Sequence, residues 1–228
     1  MNHLLSPFLY ILFVEFIKIL PSCPDSMVMK KIRFAHNYFL SILSFIMLLG
    51  ITIGNYQTDK FSNVRNLLCL TYNNNYFANI SVDVFLYSKY LEWLDTLFLH
   101  LSNKTISNLQ YYHHMSTALL VYVNKQSYLS PHVFVFMSLN CFVHIFMYWY
   151  FAYPLGILKK FRIFITLSQI IQHILCLLTV VYTMTLKDCD QNKYGNETGL
   201  FLYLVYLGYF SHFYCKNYFK KKILDKSS

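Results

Sequence analysis

Charge is what this sequence has least of: Asp, Glu, Lys and Arg make up 13% of its 228 residues, about half the share found in an average soluble domain. A chain so poor in ionised groups cannot clothe a globular core in them, which argues against a soluble fold. Glycine and proline are sparse, at six and five residues, and no linker or internal repeat divides the chain. Residues 1–228 are therefore read as a single domain. Cysteine occurs six times without a CxxC pair, so the spacing of a zinc ribbon or a thioredoxin-like site is missing. The opening MNHLL lacks the basic start of a secretory signal, and the first apolar stretch is read as a retained helix.

What fills the chain instead is apolar: 56% hydrophobic, with 21 Phe and 21 Tyr. Runs of roughly 17 to 25 apolar residues are long enough to cross a bilayer as helices. Seven qualify, at 5–21, 34–54, 82–101, 108–124, 131–153, 161–185 and 198–217, which implies an all-α, polytopic membrane protein surrounded by lipid. Basic residues distribute unevenly between the connections. Lys30, Lys31, Arg33, Lys104, Lys159, Lys160, Arg162 and the lysines from Lys216 to Lys226 fall on one side; Lys60, Arg65, Lys125, Lys187 and Lys193 fall on the other. The richer side faces the cytosol, placing the N-terminus outside and the C-terminus inside. A net charge of +9 then reflects topology and lipid contact and gives no reason to expect nucleic acid. The same topology puts Cys69 and Cys189 in the two long non-cytosolic loops, where a disulfide can form if that compartment is oxidising. Sequence alone does not bring the sulfurs together.

The informative residues are those a membrane penalises. Each charge at mid-membrane costs about 2.5 to 3.5 kcal/mol, yet the third stretch carries Lys89, Glu92, Asp95 and Thr96. Lys89 and Glu92 share a helical face, as a self-neutralising pair or as part of a site. The fourth stretch opens QYYHH with Gln110, His113 and His114, and the fifth places Asn140, His144 and Tyr148 at successive steps of four. Thr166, Gln169 and Gln172 follow at steps of three in the sixth. A lone Gln172 is explained by an interhelical hydrogen bond. Four consecutive helices that each carry one polar stripe are better explained by a shared interior cavity. His173 and His212 are read as structural, and His3, His36, His100 and His132 as span-end residues reaching the interface.

Two chemistries compete for the histidines. A membrane di-iron oxygenase or desaturase needs several histidine boxes, and only QYYHH is present. Neighbouring His113 and His114 point about 100° apart on a helix, a poor clamp for one metal ion, so no metal is expected. Nucleophilic or general-base use needs fewer imidazoles, since an acyl-imidazole passes its acyl group on readily. A seven-helix receptor or transporter that binds without reacting is the non-enzymatic alternative.

KYLEWLDT (89–96), QYYHH (110–114), NCFVHIFMYWYF (140–151) and TLSQIIQ (166–172), in that order and spacing, resemble the ELO family of very-long-chain fatty acid elongases. The resemblance implies a 3-ketoacyl-CoA synthase of the endoplasmic reticulum that condenses acyl-CoA with malonyl-CoA, needs no further cofactor and works beside the other enzymes of the elongation cycle. It implies six of the seven helices around a narrow acyl tunnel. His113 would take the acyl group, with His144 as its partner across the tunnel and His114 beside it. Lys89, Glu92, Asp95, Gln110, Asn140, Tyr148, Gln169 and Gln172 would bind or orient, and Cys69 would pair with Cys189. Gln110 departs from the family's first box histidine and, as an amide, cannot titrate near neutrality. Ser102 and Asn103 stand where relatives tend to be basic, which weakens the expected contact with CoA there. Of the sequons at Asn79, Asn103 and Asn196, this topology turns only Asn79 and Asn196 toward the lumen.

Overall fold

A computed structural model describes residues 3–24, 26–69, 76–126, 129–153, 158–187, 189 and 191–219. Within them the chain forms nine α-helices and no strand: α1 (Ser6–Lys18), α2 (Met27–Gln57), α3 (Val64–Cys69), α4 (Tyr76–Leu91), α5 (Trp93–Leu101), α6 (Asn108–Lys125), α7 (Val133–Ala152), α8 (Leu158–Thr185) and α9 (Lys193–Tyr214). A π-helical turn, Cys215–Phe219, follows α9. The lysine-rich tail from 220 onward lies outside the described residues.

Helix starts are written locally. Pro7 stands in the first turn of α1, where its missing N–H costs nothing. Ser26, Ser107 and Asn192 cap α2, α6 and α9, each side-chain oxygen accepting from the backbone N–H three residues on, which satisfies one otherwise orphaned donor apiece. On α1 the charges of Glu15 and Lys18 pair at 2.6 Å, so neither is presented alone to its surroundings.

A helix stands over each of the seven apolar stretches, with two corrections. The expected span 82–101 begins earlier, at Tyr76, and is broken at Glu92 into α4 and α5. No proline or glycine marks the break. There the Glu92 N–H still reaches Ser88 O at 2.9 Å, but the Asp95 N–H turns back to Glu92 O at 3.1 Å, the tighter spacing of a 3₁₀ turn. The last expected span, 198–217, is likewise shifted: α9 starts at Lys193 and ends at Tyr214.

Six positions of the bundle close on themselves. α2 packs against α4 and α7, α7 against α8, α8 against α9, α9 against α6, and α6 back against α4; α1 stands beside this ring, against α5 and α6. The distribution of side chains is inverted relative to a soluble protein. Phe8, Leu12 and Phe16 of α1, Phe45 and Ile46 of α2, and Phe164 and Leu178 of α8 are exposed, while Lys89, Glu92, Thr96, His114, His144, Thr166 and Gln172 are buried. Apolar groups outside and polar groups within suit lipid as solvent. By length and composition, three helical segments can cross a membrane: Met27–Gln57, Val133–Ala152 and Phe161–Thr185. This is a membrane protein.

One end of the ring is fastened by the connections. Cys69 at the end of α3 is bonded to Cys189, with Cα atoms 4.9 Å apart. Asn192 donates to Val123 O and Gln126 O at the end of α6. The start of α9 comes so close to α6 that a Cβ on Gly195 would lie 2.7 Å from Asn124 Oδ1. Lys60, in the same cap, is fully buried with its ammonium 5.8 Å from the centre of the Phe134 ring. Burial pushes its pKa down to about 7. Among the sequons, Asn196 is 2% exposed and bonded to His132 and Gln191, whereas Asn79 is exposed on α4.

Candidate functional site

The ring encloses a cavity of about 660 Å³ lined by residues of α2, α5, α6, α7, α8 and α9 and by the Glu92 break. Its outer part is walled by Arg33, Lys104, Ser107, Arg162 and Tyr218, which gives it a basic rim at the end of the ring opposite the disulfide. A second, narrow arm of about 60 Å³ continues deeper, among Thr117, Leu120, Asn124, Val133, Phe136 and Tyr203. Four residues border both: His113, Asn140, Gln172 and His173. Because α6 runs inward from Ser107 and α7 runs outward from Val133, these four define one level across the bundle.

At that level the broken helix supplies a closed circuit of polar contacts. Lys89 Nζ donates to Glu92 Oε1 at 2.7 Å and to Asn140 Oδ1 at 2.9 Å. The Asn140 amide donates to His144 Nε2 at 3.1 Å, and His144 Nδ1 lies 3.5 Å from the same Glu92 oxygen. Lys89 and Glu92 side chains are each 3% exposed, so the pair is desolvated and must be compensated internally. The spacing that makes this possible is i,i+3 in α4 and i,i+4 in α7. With Asn140 occupying Nε2, the Nδ1 nitrogen of His144 carries the proton that faces Glu92.

A second group sits nearer the rim. The Tyr148 hydroxyl donates to Asp95 Oδ2 at 2.7 Å, and His36 Nε2–H donates to Asp95 Oδ1 at 3.0 Å. Behind it, Tyr10 of α1 bonds Thr96 at 2.8 Å and stacks on His114, while Trp93 Nε1–H donates to His114 O at 3.1 Å. Gln169 reaches Met147 Sδ at 3.3 Å. Gln110 lines the outer cavity.

His113 is held differently from His144. Its ring packs against His114, Tyr206 and Phe210 at 5.0 to 6.1 Å between centroids, and neither ring nitrogen makes a hydrogen bond to a described residue. The Tyr206 hydroxyl is engaged elsewhere, with Ser116 at 2.7 Å. An imidazole with no hydrogen bond to a described residue, bordering both cavities, has a ring nitrogen open to a substrate; one whose nitrogen already accepts from an amide does not. His114 Nδ1 is buried and has no hydrogen-bond partner among the described residues.

The structure thus brings Lys89, Glu92, Asn140 and His144 into one circuit and places Asp95, Gln110, His113, His114, Tyr148, Gln169 and Gln172 on the wall of the same cavity. All four histidines read as reaching the interface need correction: His36 bonds Asp95, His132 is buried and bonded to Asn196, His3 is buried and bonded to Tyr90, and His100 is bonded to Leu20 O. His173 is buried against Tyr203, Tyr206 and Phe210, as a structural residue would be, and also borders the level shared by the two cavities. The signal for His173 was present, since it lies four residues beyond Gln169 on the same stripe. Arg33 was also passed over: it donates to Ser102 Oγ at 2.9 Å, bringing a guanidinium to the part of the loop where Ser102 and Asn103 supply no positive charge. Among the described residues no cluster of three or more His, Cys, Asp or Glu side chains is placed to hold a metal ion.

Comparison with known proteins covers nearly the whole chain. Residues 3–226 match the ELO: GNS1/SUR4 family. "Fatty acid elongase A" of Dictyostelium discoideum is 32% identical over 202 residues, covering 85% of this chain and 74% of that protein. "Fatty acid elongase sre1" of the same organism is 27% identical over 186 residues, covering 80% and 69%. "Fatty acid elongase 3" of Trypanosoma brucei brucei is 32% identical over 156 residues, covering 64% of this chain and 51% of that protein.

Proposed function

The chain belongs to the ELO (GNS1/SUR4) family, and from that premise we propose that it is a fatty acid elongase, the condensing enzyme that joins an acyl-CoA to malonyl-CoA and releases 3-ketoacyl-CoA, CO2 and CoA. The observation that carries the reading to a mechanism is the unengaged ring of His113 at the level shared by the two cavities.

In this reading the acyl chain lies in the narrow arm and CoA in the outer cavity, its phosphates against Arg33, Lys104 and Arg162. The His113 nitrogen attacks the thioester carbonyl, the C–S bond breaks, and the proton lost by the imidazole leaves with CoA as its thiol. Malonyl-CoA then enters the vacated outer cavity. Loss of CO2 leaves the enolate of acetyl-CoA, whose carbon attacks the acyl-imidazole; the C–N bond breaks and the departing imidazolate of His113 takes up a proton from solvent, the one proton the condensation consumes. Splitting the reaction at an acyl-imidazole replaces one difficult step by two easier ones. The Lys89, Glu92, Asn140 and His144 circuit keeps the His144 ring fixed, with its Nδ1–H toward Glu92, and supplies fixed dipoles where oxyanion charge develops. Asp95, Tyr148 and His114 orient the outer groups, and Gln110, Gln169 and Gln172 offer amides along the substrate path.

All seven apolar helices span the membrane in this reading, with six around the acyl tunnel. The basic rim faces the cytosol, the disulfide-linked cap faces the lumen of the endoplasmic reticulum, and the N-terminus is lumenal. The remaining enzymes of the elongation cycle act on its product. The test is condensation by the purified chain: labelled malonyl-CoA and a panel of acyl-CoAs should yield labelled 3-ketoacyl product. A homogeneous, folded preparation that converts none of them would refute the assignment.

A further inference from the structure

We propose that the narrow inner arm recognises a hydroxyl group on the acyl chain, so that acyl-CoAs hydroxylated a few carbons from the carbonyl are favoured substrates; the inference rests on the elongase reading above. An arm that receives only hydrocarbon needs only apolar walls. This one is lined in part by Thr117, Asn124, Gln172 and His173. Two of its polar atoms, Thr117 Oγ1 and His173 Nδ1, are buried and have no hydrogen-bond partner among the described residues; the residues are 7% and 3% exposed. A buried polar atom left unpaired is unfavourable.

Ser116, one residue before Thr117, satisfies its hydroxyl on Tyr112 O at 2.6 Å and on the Tyr206 hydroxyl at 2.7 Å. That engages Tyr206, which packs on the His173 ring at 5.4 Å between centroids, and leaves His173 without it. A methylene can satisfy neither open atom. An alcohol can satisfy either, donating to the imidazole nitrogen or accepting from the threonine hydroxyl. Thr117 lies one helical turn beyond His113, roughly 6 Å further along α6, which places the recognised hydroxyl a short way down the chain from the acyl acceptor. The competing occupant is water, which fits a polar cavity of this kind and would satisfy the same atoms whatever the acyl chain.

Steady-state condensation with labelled malonyl-CoA separates these. kcat/KM is measured for an unsubstituted acyl-CoA and for length-matched acyl-CoAs with one hydroxyl moved carbon by carbon, using the purified full chain. One hydroxyl position should raise kcat/KM about tenfold over the unsubstituted chain, the discrimination of a single well-made hydrogen bond. That ratio should fall to near one in at least one of Thr117→Val and His173→Phe and persist in Thr117→Ser, which keeps the hydroxyl. The proposal is overturned if the unsubstituted chain is elongated and no hydroxylated chain is elongated faster, the result expected of a resident water. It is equally overturned if a preference exists but survives both substitutions. Absence of product from every substrate would instead refute the elongase reading, and the proposal with it.

Discussion

Replacing Lys89 by methionine removes the one cation of the buried circuit while keeping an unbranched side chain of similar length. Glu92 would then be left 3% exposed with only His144 Nδ1 at 3.5 Å, and Asn140 Oδ1 would lose its donor. Breaking a buried pair from one side costs about 3 to 5 kcal/mol because an uncompensated charge remains. For a chain of this length each kcal/mol lowers Tm by roughly 2 to 4 °C, so a drop of about 6 to 20 °C is expected. Removing both charges in Lys89→Met with Glu92→Gln eliminates the stranded carboxylate. The double variant should therefore be more stable than the sum of the two single losses predicts, with a coupling of about 1 to 3 kcal/mol. Thermal unfolding of detergent-purified protein, checked for homogeneity by size-exclusion chromatography, reads both quantities. A Tm for Lys89→Met within 2 °C of the parent, or strict additivity in the double variant, would refute the claim that the circuit is a compensated buried charge system.

Tyr148→Phe deletes the donor to Asp95 Oδ2 but leaves His36 on Oδ1; a bond to a charged group is worth about 1.5 to 3 kcal/mol, and both Tm and condensation rate should fall, whereas no change in either would remove Asp95 and Tyr148 from the site. Cys69→Ser opens a bridge between residues 120 apart, which loop entropy values at up to about 5 kcal/mol. Its mobility on electrophoresis should lose the reductant-dependent shift of the parent, and an unchanged shift and Tm would deny the bridge. For Lys60, burial lowers the folded pKa from 10.5 to about 7. The unfolded chain therefore binds more protons between those values, and stability should rise with pH from 7 upward. Lys60→Met should flatten that rise in thermal melts; a parent whose Tm does not increase between pH 7 and 9 contradicts it.

The positions of the helices were legible because each apolar stretch is long and bounded by polar connections. The break at Glu92 was not, since no proline or glycine marks it and it depends on where the Asp95 N–H finds its acceptor. For the site, the stripes Asn140–His144–Tyr148 and Thr166–Gln169–Gln172 identified one face of each helix from spacing alone. Partners across helices were invisible: His36 and Asp95 are 59 residues apart, and at a span end a histidine reaching for the interface reads the same as one reaching for a carboxylate. Likewise His113 and His144 look equivalent in sequence. Only the Asn140 amide on His144 Nε2, and the lack of any such partner on His113, separates the held imidazole from the free one.

The central claim, an acyl group carried on His113, is tested most directly by intact-protein mass spectrometry after incubation with an acyl-CoA in the absence of malonyl-CoA. The account predicts one acyl mass added per chain with equivalent CoA released, the modified peptide containing His113, and chase of the label into 3-ketoacyl product when malonyl-CoA is added. His113→Gln should show neither adduct nor CoA release. An adduct that persists in His113→Gln, or that maps to His144 or a cysteine, would contradict it.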